Sequence, residues 1–205
     1  FWFGTDQIGR DVFSRTLVGA RVSMYVGLVT MLAAAGGGLF LGVSSAYIGG
    51  KFDLIIQRFV DGIIAMPTLI LAMALVAALG QSINNVILAI AIVQIPRITR
   101  VIRSAALSIK EVPYIEAARS IGASDWRVML RHVAPNTMAP LLIVASSAVG
   151  SIIITESTLS FLGLGVDPET LTWAALVSGD ARLHFAAAPW MLFGPGIAVT
   201  VVVFG

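Results

Sequence analysis

The residues best placed to do chemistry lie in one polar segment between apolar blocks, Pro113–Pro135, which reads PYIEAARSIGASDWRVMLRHVAP. Its first half places apolar residues at the i, i+3, i+4, i+7 spacing of one helix face: Tyr114, Ala117, Ala118 and Ile121. Its second half repeats that spacing: Trp126, Met129, Leu130 and Val133. The other faces carry charge: Glu116, Arg119, Arg127 and Arg131. Apolar stripes flanked by ionic side chains are suited to binding a surface.

Two short helices must position these side chains. Gly122 lies between the stripes, where a residue without a Cβ lets the backbone reverse. Pro113 can open the first helix because the first turn does not need its missing N–H, and Ser124 and Asp125 suit the start of the second. The pattern predicts a helix–Gly–helix hairpin over residues 112–135. This hairpin is either a connector whose stripe rests on the membrane interface or its own bundle, or a rigid knob that docks into a partner.

Three blocks of the sequence carry a family resemblance. EAARSIG at 116–122, followed after twelve residues by Pro135, resembles the EAA motif of the membrane subunits of ABC importers. It departs from the general pattern at His132 and Ala134, where that pattern has Ile and Leu. GTDQIGRDVFSRTLVGAR at 4–21 and ESTLSFLGLG at 156–165 are similar to the dipeptide/oligopeptide/nickel branch of importer permeases.

The resemblance implies one all-α permease domain over 1–205, a helix bundle of the type I ABC importer fold with six spans. In that family the EAA loop forms a coupling helix that sits in a groove of the ATPase subunit. The residues that would couple here are Glu116, Ala117, Ala118, Ile121, Gly122, Ala123 and Asp125. Glu116 can pair with a basic group on the ATPase or with Arg119 of its own helix.

The resemblance also implies an assembly in the bacterial inner membrane. Its partners would be a second related permease subunit, two ATPase subunits and an extracytoplasmic solute-binding protein. ATP and Mg²⁺ would bind to the ATPase subunits, and this chain would hold no cofactor of its own. Short peptides are the first expectation for the substrate, and nickel complexes are the second.

The composition independently indicates an integral membrane protein. Hydrophobic residues make up 58% of the chain and charged residues 12%, and the mean hydropathy is +0.94, far from the values of soluble domains. The formal net charge of only +2 gives no basis for a nucleic-acid partner. The absence of cysteine excludes disulfides, thiolate metal sites and cysteine nucleophiles.

The apolar blocks predict five membrane spans: 22–48, 62–80, 85–108, 136–155 and 189–205. Residues 62–96 would form a helix of roughly 50 Å, too long for one span, so the polar residues from Gly80 to Asn85 are predicted to turn the chain. Met66–Pro67 is predicted to kink the preceding helix. Residues 51–61 are predicted to be a polar connector and 156–188 an extracytoplasmic loop, while residues 1–21 suit a short interfacial helix.

Small residues in the first span predict close helix packing. Gly38 and Gly42 form a small-xxx-small pair, which lets two helices approach closely in lipid. We expect this contact to lie within the subunit and not in a specific dimer.

The distribution of Lys and Arg predicts the orientation. One side would hold nine: Lys51, Arg58, Arg97, Arg100, Arg103, Lys110, Arg119, Arg127 and Arg131. The other would hold four: Arg10, Arg15, Arg21 and Arg182. The 112–135 hairpin is therefore predicted to be cytoplasmic and Phe1 extracytoplasmic. Both ends then look truncated, and we expect a sixth span before Phe1.

Several function classes lack their motifs. The sequence has no G-x-x-x-x-G-K-Ser/Thr loop, no HExxH and no GxSxG, so no P-loop, zincin or serine-hydrolase site is predicted. His132 and His184 fall on opposite sides of the predicted membrane and are interpreted as ordinary polar positions. The competing classes are an ion-coupled carrier and a scaffold without transport. A carrier often places acids deep in the bilayer, whereas Asp61 and Glu156 are predicted at the membrane edges.

Overall fold

A computed structural model describes residues 2–167, 170–178 and 188–204, and these ranges are almost entirely helical. The helices are α1 Val12–Ile48, α2 Gly50–Ile64, α3 Thr68–Leu79, α4 Ile83–Lys110, α5 Pro113–Ser120, α6 Asp125–Val128, α7 Ala134–Asn136, α8 Met138–Phe161, α9 Trp173–Ser178 and α10 Trp190–Phe204. A π-helical turn, Met129–Val133, joins α6 to α7. The all-α fold predicted from the sequence is confirmed.

The chain divides into two compact units. The first contains Phe1–Met31, Leu69–Ile90 and Ala148–Gly205, and the second contains Leu32–Thr68 and Ala91–Ser147. The hairpin that carries the EAA-like motif lies wholly in the second unit.

The number of spans differs from the five predicted. Among the described residues, three helices are long and apolar enough to cross a membrane (α1, α4 and α8), and a fourth span results if α2 and α3 count as one bent pair. The predicted span 62–80 is interrupted because Pro67 disfavours helical backbone just before it, so α2 ends at Ile64 and α3 begins at Thr68. The last predicted span corresponds to α10, a shorter apolar helix.

Three predicted loop or boundary segments are helical in the structure. Residues 51–61, predicted to be a connector, lie in α2, where Asp53 accepts hydrogen bonds from the Arg103 guanidinium at 2.7 and 2.5 Å and Asp61 pairs with Arg100 at 2.6 Å. Residues 12–21 continue into α1 without forming a separate helix. Residues 156–161, predicted to start a loop, complete α8. The acids of α2 pair with arginines of α4, and this pairing allows a charged segment to pack as a helix.

Glycines let α1 and α4 approach closely within the second unit. A Cβ added to Gly38 would lie 2.5 Å from the Ile98 side chain. One added to Gly42 would lie 2.9 Å from the Thr99 carbonyl oxygen and 3.0 Å from the Arg103 nitrogen. The Gly38–Gly42 pair therefore packs against α4 of the same subunit, as its spacing predicted.

In the first unit, the segment before α1 is held by its own charges. The Asp6 carboxylate accepts hydrogen bonds from the backbone N–H groups of Ile8 and Arg10 and pairs with Arg10 at 2.6 Å and Arg15 at 2.7 Å. Burial acts to raise the pKa of Asp6, but these hydrogen bonds and charges outweigh it and hold the pKa below its ordinary value. The alternating charges of this segment thus pair with one another.

A buried polar cluster lies elsewhere in the first unit. The Trp173 indole N–H donates to the Thr16 carbonyl oxygen at 2.8 Å, and the Trp173 backbone N–H donates to Ser23 Oγ at 3.0 Å. Glu156, predicted at a membrane edge, is only 2% exposed and lies inside α8. Its carboxylate accepts a hydrogen bond from Ser160 Oγ, one turn later, at 3.2 Å. Glu156 is therefore a buried acid within a membrane-spanning helix.

Candidate docking site on the 113–136 hairpin

The predicted 112–135 hairpin corresponds to α5, α6, the π-helical turn and α7, and these elements, residues 113–136, are called the 113–136 hairpin. Its first arm ends in a turn that requires glycine. Gly122 has φ +86°, in the left-handed region that side chains with a Cβ disfavour. Its N–H donates to the Arg119 carbonyl at 2.9 Å, and the N–H of Ala123 donates to the Ala118 carbonyl at 3.1 Å. These two bonds form a Schellman motif, which satisfies the last carbonyls of α5. The reversal at Gly122 predicted from the sequence is present.

The second arm is less regular than the predicted single helix. Ser124 occupies the N-cap of α6, but its side chain makes no capping hydrogen bond there. After Val128 the backbone widens into the π-helical turn Met129–Val133. Pro135 lacks an N–H, and its ring would clash with the Arg131 carbonyl in a regular α-helix. A wide turn just before a proline relieves this conflict.

The structure divides the apolar stripe of α5 between two environments. Ala118 is buried, together with Ile115, which the predicted stripe omitted. The other three members are exposed: Tyr114, Ala117 and Ile121. Ile121 is 87% exposed and Tyr114 is 42% exposed. One side of α5 thus packs on the protein, while the other presents apolar groups outward beside the Gly122 turn.

The stripe of the second arm is divided in the same way. Met129 and Val133 are buried, along with Val128. Trp126 and Leu130 are 60% and 52% exposed. The hairpin therefore combines buried anchors with an outward apolar surface.

The charged residues of the predicted site take different positions. Glu116 is exposed, and within the described part of the chain it forms no ion pair with Arg119. Asp125 is exposed but accepts a hydrogen bond from the Tyr47 hydroxyl at 2.7 Å. Ala123 is half-buried and contributes its backbone N–H to the Schellman motif.

The two histidines do not form a described site. His132 is half-buried, with its ring centroid 6.3 Å from that of Tyr114. His184 lies outside the described residues, as do Glu169, Asp180 and Arg182 of the predicted loop. Among the described residues, no group of three or more His, Cys, Asp or Glu side chains is placed to hold a metal ion.

Sequence reasoning missed Tyr47 and the bonding role of Lys110. Tyr47 is 6% exposed near the end of α1 and contacts Arg119 and Asp125, far away in sequence. A single tyrosine at the end of an apolar run is a signal for a membrane-interface anchor. That signal locates the end of the span but does not identify its hydrogen-bond partners.

Comparisons with known proteins agree with the fold and the motifs. Residues 38–205 match the family described as binding-protein-dependent transport system inner membrane component. The dipeptide transport system permease protein DppC of Alkalihalophilus pseudofirmus is 39% identical over 204 residues, which cover 100% of this chain and 67% of that protein. The glutathione transport system permease protein GsiD of Escherichia coli is 42% identical over 202 residues, which cover 98% and 66%.

Solved structures support the same fold. The chain is similar to a structure of the MetNI methionine ABC transporter in an inward-facing conformation, with a TM-score of 0.72, 16% identity and coverage of 92% of this chain and 90% of that chain. A crystal structure of an amino acid ABC transporter gives a TM-score of 0.63 at 16% identity, covering 93% and 86%. The family matched over most of the chain shows that the protein belongs to the inner membrane components of binding-protein-dependent transport systems, the ABC importer permeases that its motifs resemble.

Proposed function

We propose that the chain is the permease subunit of an ATP-driven importer of short peptides and that the 113–136 hairpin couples it to the ATPase. The observation that carries this proposal is the outward apolar surface on α5, where Tyr114, Ala117 and Ile121 are exposed next to a turn fixed by Gly122. The named transport of dipeptides and of glutathione by relatives supports a short peptide as the substrate.

The proposed mechanism is alternating access. This chain and a second permease subunit enclose the path, two ATPase subunits bind ATP and Mg²⁺, and a solute-binding protein delivers the peptide from outside. Closure of the ATPase subunits displaces the hairpin, and the buried anchors Ile115, Ala118 and Val128 transmit that displacement to the membrane helices. The chain itself acts by binding and movement, and the chemistry of ATP hydrolysis belongs to its partners.

The charge distribution supports the orientation that this mechanism needs. The side that includes the hairpin carries nine Lys and Arg in the sequence, against four on the other, and positive loops favour the cytoplasm. The hairpin would then face the compartment that contains ATP. The proposed location is the bacterial inner membrane.

One observation favours a second candidate, an ion-coupled carrier. Glu156 is buried inside α8, and an acid within a membrane-spanning helix is a frequent site for protons or cations. The importer and the carrier differ in their energy source, and this difference makes them separable by experiment.

The proposal is tested by peptide uptake into liposomes that contain the chain with its second permease subunit, ATPase subunits and binding protein. We expect uptake of a labelled dipeptide to require hydrolysable ATP on the side of the membrane that holds the ATPase subunits. We expect it to persist when ionophores collapse the proton and sodium gradients. Uptake that stops with the ionophores and continues without ATP would overturn the importer and favour the carrier. Nickel uptake without peptide uptake would overturn the peptide substrate alone.

A further inference from the structure

Tyr47 of α1 bonds to both arms of the hairpin. Its hydroxyl donates to Asp125 Oδ1 at 2.7 Å, at the first residue of α6. The same hydroxyl accepts a hydrogen bond from Arg119 Nε of α5 at 3.3 Å. The two partners lie on either side of the Gly122 turn, so one phenol contacts both arms of the hairpin.

The ring of Tyr47 adds to these polar contacts. The Arg119 guanidinium carbon lies 5.0 Å from the ring centroid, within the range of a cation–π interaction. This position keeps Arg119 away from Glu116, its neighbour on α5. Tyr47 is 6% exposed, whereas Arg119 and Asp125 are exposed, so the buried phenol meets its two partners at the protein surface.

Lys110, the last residue of α4, fixes the end of α1 that carries Tyr47. Its ammonium donates to the carbonyl oxygens of Tyr47 at 2.8 Å and Ala46 at 3.3 Å, and it lies 5.6 Å from the Tyr47 ring centroid. The last carbonyls of a helix lack intrahelical partners, and a cation there also complements the helix dipole. Lys110 therefore holds Tyr47 in place through the last carbonyl groups of α1.

We infer that Tyr47 is a positioning residue for coupling: it holds both arms of the hairpin in one orientation and transmits their movement to α1. This inference rests on the proposed function of the hairpin. The Gly122 turn sets the reversal between the arms, and the buried apolar anchors pack the hairpin on the protein without a preferred direction. The paired bonds to Arg119 and Asp125 are directional and supply the missing constraint.

The test replaces Tyr47 by phenylalanine, which removes the hydroxyl and keeps the ring. In the assembled liposome system we expect the amount of dipeptide transported per ATP hydrolysed to fall roughly threefold to tenfold, the size of effect expected from losing one ordinary intramolecular hydrogen bond. ATP hydrolysis should fall much less than uptake, because the partners retain their own sites. Asp125→Ala removes one of the two bonds and should lower the ratio by no more than Tyr47→Phe, and the double variant should be no worse than Tyr47→Phe alone.

Two controls separate positioning from general stability. Tyr25→Phe makes the same change in the same helix at a side chain that is 52% exposed, and it should leave the transport ratio unaltered. Asp125→Asn retains an acceptor for the Tyr47 hydroxyl and should recover most of the ratio lost in Asp125→Ala.

Each outcome of this experiment decides something. An unaltered transport ratio in Tyr47→Phe, or an equal loss of uptake and hydrolysis with a lower unfolding temperature, would overturn the inference while leaving the proposed function intact. Wild-type complexes that hydrolyse ATP without taking up peptide would overturn the proposed function, and the inference with it.

Discussion

Replacing Gly42 by leucine is expected to destabilise the second unit strongly. A Cβ at this position would lie 2.9 Å from the Thr99 carbonyl oxygen and 3.0 Å from the Arg103 nitrogen. These are backbone atoms of α4, which cannot move aside as the end of a flexible side chain can. We expect a cost of about 3 kcal/mol, the upper end of the usual range for overpacked cores.

The measurement is the yield of monodisperse protein in detergent and its unfolding temperature. The matched control is Gly36→Leu, the same change in the same helix at a position where no atom lies within 4 Å of the added Cβ. Gly36→Leu should retain near wild-type yield. Equal yields for the two variants would contradict the assigned packing of α1 on α4.

Replacing Gly122 by valine is expected to disrupt transport while the chain still inserts and folds. The left-handed conformation costs a residue with a Cβ about 1–2 kcal/mol, and a β-branched residue more. No atom lies within 4 Å of a Cβ added here, so the penalty comes from the backbone and not from packing. Because 1.4 kcal/mol is about tenfold in an equilibrium constant, the equilibrium between the docking-competent hairpin and its alternatives should shift at least roughly tenfold against it.

The measurements are ATP-dependent uptake and the apparent affinity of the ATPase subunits for the permease. Asparagine tolerates the left-handed region better than other residues with a Cβ, so Gly122→Asn should retain more activity than Gly122→Val. Normal uptake by Gly122→Val would rule out the hairpin as the coupling element. Equal losses in the two variants would show that backbone strain is not the cause.

Features that depend on local backbone geometry could be predicted from the sequence. Gly122 between two apolar stripes predicts a reversal, and the Gly38–Gly42 spacing predicts a close helix contact. The motif around Glu116 identifies the family without any structure. For the two glycine features, the residue type and its spacing determine the backbone geometry, and the structure adds only the contacting partner.

Features that depend on tertiary partners could not be predicted. Residues 51–61 look like a connector because they contain charges, and only the pairing of Asp53 and Asp61 with arginines of α4 makes them part of a packed helix. The charge of Glu156 likewise predicts the end of a span, yet Glu156 lies inside α8 and accepts a hydrogen bond from Ser160. The position of Tyr47 at the end of an apolar run does not identify its partner, since Asp125 is 78 residues away.

The division of the α5 stripe has a related origin. The i, i+3, i+4, i+7 rule identifies a face but cannot say what that face contacts. Here Ile115 and Ala118 turn toward the protein, whereas Tyr114 and Ile121 point away. In α6, likewise, Val128 is buried and Trp126 is 60% exposed.

Cross-linking tests whether the outward surface of α5 docks onto an ATPase subunit. The chain contains no cysteine, so Ile121→Cys introduces a single thiol at a position that is 87% exposed. The purified chain is labelled there with a photoactivatable cross-linker, assembled with the unlabelled partners and irradiated, and its adducts are identified by mass spectrometry. Ile8→Cys, at a side chain that is 71% exposed in the other unit, is the control. We predict an ATPase adduct from position 121 and none from position 8. If a complex that is active in uptake gives no ATPase adduct from position 121, the α5 surface does not dock onto the ATPase.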